Sequence, residues 1–108
     1  MATYAPQTAT HAGVTTTWHT AAAGDKISGV KKTATMLINN AGASSITATI
    51  SPPGTTSYGV DNPDKVITVG AGAIVAVSLF PTYRDPDDSN LVAPTWSDAT
   101  SVTWAVLI

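Results

Sequence analysis

Few side chains in this sequence have the chemistry for catalysis or metal binding. His11 and His19 are the only histidines; there is no cysteine or glutamate to join them, and the nearest aspartate along the chain is Asp25. A metal site gathers three or four His, Cys or carboxylate ligands at one point. The two histidines therefore read as surface or interface side chains, and only copies meeting on the axis of a symmetric oligomer would make a ligand set of them. The run Asp85-Pro86-Asp87-Asp88-Ser89-Asn90 begins like a calcium loop, with oxygens at alternate positions. The rest fails: position six is Asn90 where such a loop turns on glycine, and position twelve is Trp96 where it needs a bidentate glutamate. The run is expected to be a solvated loop whose aspartates brace turns by side-chain-to-backbone hydrogen bonds.

Nine serines and 18 threonines invite a search for a nucleophile, but no Gly-x-Ser-x-Gly elbow is present. Gly70-Ala71-Gly72 is followed by Ala-Ile-Val, without the Lys-Ser/Thr that handles phosphate and its metal. Asp87 and Asp88 sit on a loop, a poor mount for acid–base work. The sequence predicts no enzyme, no metal and no cofactor. Contact residues are a different matter. Trp104 alternates with valines and reads as core, whereas Trp96, between Pro94 and Asp98, is expected to be half exposed. Trp18 is an anchor candidate because tryptophan is enriched among interface hot spots. With its neighbour His19 and with Tyr83 and Arg84, these form the candidate contact set Trp18, His19, Tyr83, Arg84 and Trp96.

The elements that must carry these residues are strands. The composition has 18 Thr, 10 Val and 7 Ile against 4 Leu, one Gln and no Glu. β-branched side chains lose rotamer freedom in helices and pack well on a pleated sheet, and most of the strong helix formers are scarce. At 108 residues the chain is one domain able to bury one core. Strands are expected at Lys26–Ile27, Thr33–Asn39, Ser45–Ile50, Lys65–Val69, Ile74–Phe80 and Ser101–Ile108, with short ones at Val14–Trp18 and on an edge at Ser57–Val60. Ser45–Ile50 alternates most cleanly, with Ile46, Ala48 and Ile50 on one face. Asn40–Ala43 reads as a hairpin loop. Ile74–Phe80, apolar on both faces at first, reads as a central strand, and Pro81–Pro94 as an exposed loop. The spacing of strands and turns predicts an all-β chain: a single small antiparallel β-sandwich, Ig-like or jelly-roll, over 24–108, with an extended N-terminal arm over 1–23 that lies along another surface.

Charge narrows the function. Charged residues are 11% of the chain and the net charge is −2, against about 25% charged residues in an average soluble protein. Five scattered Lys and Arg exclude a nucleic-acid surface. No stretch is apolar for long enough to span a membrane, and Met1–Thr10 lacks the basic and apolar regions of a secretory signal, so the expectation is a soluble chain made in the cytoplasm. Strand faces of Thr, Ser and Ala are cheap to desolvate, and Lys and Glu are depleted at protein interfaces. Such a surface suits an assembly component, with the arm wrapping a neighbour.

The ordered set Gly24-Asp25-Lys26-Ile27, Thr35-Met36-Leu37-Ile38-Asn39-Asn40, Ala43 through Ile50, Val66-Ile67-Thr68-Val69-Gly70-Ala71-Gly72 and Ser101-Val102-Thr103-Trp104-Ala105-Val106 resembles the head decoration, or minor capsid, proteins of tailed bacteriophages. The resemblance covers residues 24–108. It implies a small β-sandwich without catalytic residues that binds the major capsid protein on the outside of an assembled capsid and stabilises the shell. It also implies a location on the virion exterior and a homo-oligomer, expected to be a trimer at a threefold or quasi-threefold site. The Pro81–Pro94 loop is longer and richer in Pro and Asp than the family pattern. The other reading is a carbohydrate- or receptor-binding module on the virion surface, with Trp96, Tyr83 and the aspartate loop as its site.

Overall fold

A computed structural model describes residues 3–108. The strands are β1 (Thr3–Tyr4), β2 (His19–Thr20), β3 (Lys26–Ile27), β4 (Ala34–Asn40), β5 (Ile46–Ile50), β6 (Lys65–Val69), β7 (Ile74–Leu79), β8 (Pro94–Trp96) and β9 (Val102–Leu107), with 3-10 turns at Pro81–Tyr83 and Pro86–Asp88. Two antiparallel sheets, β2-β9-β4-β7 and β6-β5-β8, enclose the core, and β1 pairs with β3 in a small parallel ribbon. The chain is an all-β sandwich, as its composition predicts.

Alternation decides which side chains meet. Met36 and Ile38 of β4, Ile46, Ala48 and Ile50 of β5, Ile67 and Val69 of β6, and Val102, Trp104 and Val106 of β9 are all buried. Burying each Met, Ile or Val among them contributes about 1.5–3 kcal/mol. The other faces carry Thr35, Thr47, Thr49, Thr68 and Thr95, exposed or half-buried. β9 and β4 occupy the middle of the larger sheet, because both neighbours of each are strands of the same chain.

Three expectations change. Asn40–Ala43 does not close a hairpin: β4 and β5 lie in different sheets, and the loop arches from one to the other. Among the described residues β7 is an edge strand, hydrogen-bonded to β4 alone. Its apolar residues are split between the faces, with Leu79 buried and Val75 and Val77 half-buried on one side, and Ile74, Ala76 and Ser78 exposed on the other. Ser57–Val60 is a turn within a loop closed by the bridge between Thr55 and Asp61, not a strand.

The N-terminal stretch also differs from the expected arm. Met1 and Ala2 lie outside the described residues, and Val14–Trp18 forms no strand. From Thr3 onward the backbone finds partners inside its own chain. Gln7 N–H donates to Val106 O at 2.8 Å and Ile108 N–H to Gln7 O at 2.8 Å, while Ala21 N–H donates to Val102 O at 3.0 Å beyond the pairing of β2 with β9. The segment therefore crosses the same edge of β9 twice. Between the crossings, the Gln7 side chain clasps Thr17, donating from Nε2 to its carbonyl and accepting its N–H at Oε1, both at 2.8 Å. A polar segment that cannot build a core of its own is held here by an otherwise open sheet edge, whose unpaired N–H and C=O groups need partners.

Candidate interaction surface

Trp104 organises the first group of candidate residues. It is fully buried, and its Nε1–H donates to Asp25 Oδ2 at 3.2 Å. The same oxygen accepts the Ala22 N–H at 2.9 Å, so the 1%-exposed carboxylate of Asp25 has two donors. The sequence marks Asp25 only as half of a Gly-Asp turn; its role as acceptor for an indole 79 positions away has no local signal. The edge of Tyr4 meets Trp104 at 5.3 Å between centroids, His19 lies 4.9 Å away, and Trp96 approaches at 6.4 Å. His19 stacks on Tyr4 at 3.8 Å. Pairing of β2 with β9 places His19 directly across from Trp104.

The candidate set thus separates. His19 and Trp96 are both brought against Trp104. Trp18, next to His19, keeps 38% of its surface exposed. The half-buried Trp96 has its Nε1 enclosed, without a hydrogen-bond partner among the described residues, so that atom is not offered to a ligand. Tyr83 packs edge-on against Phe80 at 5.6 Å, and Arg84 Nε–H donates to the Pro81 carbonyl at 3.1 Å, in the first turn of the 81–94 segment.

That segment is more organised than an exposed loop. Asp85 Oδ1 accepts the Asp87 N–H at 3.0 Å, and the Asp85 carbonyl accepts from Asn90 at 2.9 Å. Ser89 and Asn90 turn through left-handed conformations, φ 54° and 58°, which short polar side chains tolerate. Asp88 pairs with Lys26. Ile27 and Val92 exchange backbone hydrogen bonds at 2.7 and 2.9 Å, with Val92 fully buried. Asp85 braces a turn with its side chain, as expected of this run, while Asp88 is taken up by Lys26; among the described residues no three His or Asp side chains form a group able to hold a metal ion.

A recess of about 200 Å³ opens between the 41–45 loop from β4 to β5 and the 97–101 loop from β8 to β9, lined by Asn40, Ser44, Asp98 and Thr100 among others. The Thr100 N–H donates to Asp98 Oδ1 at 2.9 Å, and with the Thr100 hydroxyl holds that carboxyl below its usual range. More prominent are apolar side chains left in water: Tyr58 at 92%, Val60 at 60%, Ile74 at 59% and Val66 at 55% exposure.

Burial lowers the His19 pKa below its ordinary 6.5, with the Asp25 carboxylate opposing the shift more weakly. The unfolded chain then binds the proton more readily than the folded one. Folding stability is full above pH 6.5 and declines as pH falls through 6.5 towards the folded value. Urea midpoints measured from pH 7.5 to 5 should fall, and His19→Phe, which keeps the stack on Tyr4, should flatten the curve.

Comparison of the chain with protein-family models, with curated proteins and with solved structures found no match. The outer face of the β6-β5-β8 sheet has Thr47 across from Thr68, and Thr49 between Val66 and Thr95. No charged side chain belongs to that group of five.

Proposed function

We propose that this chain is a capsid decoration protein of a tailed bacteriophage, bound to the major capsid protein on the outer surface of the assembled shell. The observation that carries the reading is the uncharged outer face formed by Thr47, Thr49, Val66, Thr68 and Thr95. Each threonine offers a methyl and a hydroxyl, so the face is inexpensive to desolvate and can still hydrogen-bond across a seam. The ordered resemblance over residues 24–108 supports the same reading. A subunit that spans two capsomers adds contacts in the assembled state alone and stabilises that state by mass action. An oligomeric decoration protein multiplies weak matched contacts through avidity.

The test uses shells of the source phage assembled without this chain. Purified protein should sediment with intact shells, leave unassembled capsid subunits in the supernatant, and raise the temperature at which shells open. Thr68→Lys together with Thr95→Lys places charges on the proposed contact face; binding should weaken about tenfold or more, since a buried unpaired charge is costly, with thermal unfolding of the free protein unchanged. No sedimentation with shells, together with binding to host-surface glycans, would transfer the assignment to the receptor-binding reading.

A further inference from the structure

Four strands end the two sheets of the sandwich, and three are short or protected. β2 has two residues, β8 has three and begins with Pro94, and β6 carries Lys65. Short strands, proline and lysine are the usual protections of an edge. β7, Ile74-Val75-Ala76-Val77-Ser78-Leu79, has none of them.

Its free hydrogen-bonding groups follow from the ladder. Asn40 N–H donates to Ala73 O at 3.0 Å. In an antiparallel pair bonding alternates from residue to residue, so Val75, Val77 and Leu79 bond to β4. The N–H and C=O groups of Ile74, Ala76 and Ser78 point off the edge. The same three residues hold their side chains on the exposed face, with Phe80, 45% exposed, just beyond.

We propose that β7 pairs with β7 of a second copy, antiparallel about a two-fold axis at Val77, joining two four-stranded sheets into one. In this register Ala76 of one copy exchanges hydrogen bonds with Ser78 of the other, and Ile74 lies opposite Phe80. Both exposed apolar side chains are covered at each end, with the small Ala76 and Ser78 between them. A two-fold axis at Ala76 would set Ile74 against Ser78 and leave Phe80 uncovered. Isologous pairing brings residues near the axis close to their own images, so a charge there would repel itself; Ile74 through Phe80 carries none. The pairing is independent of capsid binding, and a dimer differs in mass from the trimer that the family resemblance implies.

Sedimentation equilibrium of the purified chain should show a monomer–dimer equilibrium. Backbone amide exchange, read residue by residue by NMR, should show Ile74, Ala76 and Ser78 becoming protected as concentration rises, while Val75, Val77 and Leu79 are protected throughout. Ala76→Pro removes an N–H that β4 does not use, and Ser78→Lys places a charge on the edge. Each should weaken the dimer about tenfold or more. Thermal unfolding at low concentration identifies a variant that has lost its fold, and the other variant then decides. A monomer at every concentration, a trimer, or a dimer in which Ile74, Ala76 and Ser78 exchange rapidly overturns the proposal.

Discussion

Replacing Trp104 with alanine is expected to lower folding stability by about 3–5 kcal/mol from the lost side chain and its cavity. The indole is fully buried in a central strand, with Tyr4, His19 and Trp96 around it. Its loss opens the contact between the N-terminal segment and β9 as well as the space between the sheets. A second cost falls on Asp25, which keeps the Ala22 N–H but loses the Trp104 donor at 3.2 Å. An under-satisfied buried polar group costs roughly 1–3 kcal/mol. A domain of this size has about 5–15 kcal/mol to lose, so Trp104→Ala should be severely destabilised or unfolded at 37 °C. Trp104→Phe separates the two contributions: it retains much of the apolar volume but has no N–H, and should lose roughly 1–3 kcal/mol. Urea unfolding of the three proteins checks the order. A Trp104→Phe variant as stable as the parent would show that the Asp25 contact contributes nothing net.

Trp104 also shows what sequence pattern can carry. Val102, Trp104 and Val106 alternate on a strand, and alternation places them on one face whatever the partners are. The same holds for Ile46, Ala48 and Ile50, all buried as their spacing predicts. Partner choice is not local. Asn40-Ala41-Gly42-Ala43 has turn chemistry suited equally to a hairpin and to an arch between sheets, and only the packing of β4 against β7 and β9 decides for the arch. β7 misleads for a related reason. Its apolar outer residues look like those of a strand buried on both faces, yet Ile74 is exposed. Within the sequence, an apolar residue waiting for another layer and one waiting for another chain look alike. The N-terminal segment is the third case: beside the packing of Tyr4 and His19 on Trp104, it is held by backbone hydrogen bonds to β9 and β3, which leave no mark on side-chain pattern. The candidate site was legible to the extent that aromatic residues announce contacts. Trp96 and His19 do gather, but around a core tryptophan, and the threonine face depends on a register between strands some 20 to 50 residues apart.

Asn40 offers the second large effect, and its chemistry gives an order as well as a size. The side chain is fully buried where two arches between the sheets meet, the 41–45 loop from β4 to β5 and the 70–73 loop from β6 to β7. Nδ2 lies 2.8 Å from Ser44 O, 3.2 Å from Val69 O and 3.4 Å from Gly70 O, while Oδ1 accepts the Gly42 N–H at 3.0 Å. A Cβ on Gly42 would come within 3.2 Å of that Oδ1, so glycine leaves room for the contact. The backbone of Asn40 ties the same region, accepting from Gly72 at 2.7 Å and donating to Ala73 O at 3.0 Å. Asn40→Ala removes the side-chain ties and should cost about 2–4 kcal/mol, the scale of one or two buried polar groups left unsatisfied. Asn40→Asp is nearly the same shape and should be worse at neutral pH, because it turns a carboxylate oxygen towards three carbonyls in a buried site. The new carboxyl must therefore have its pKa raised in the folded state. Its folded form is favoured below the ordinary aspartate value of about 3.9, where it can donate one hydrogen bond, and stability declines as pH rises through the folded pKa. At pH 7 the order of urea midpoints should be parent, then Asn40→Ala, then Asn40→Asp, with the gap between the two variants closing as pH falls towards 4. An Asn40→Asp protein as stable as the parent at pH 7 would mean that the arches reorganise around the side chain, and that Asn40 is not the tie between them.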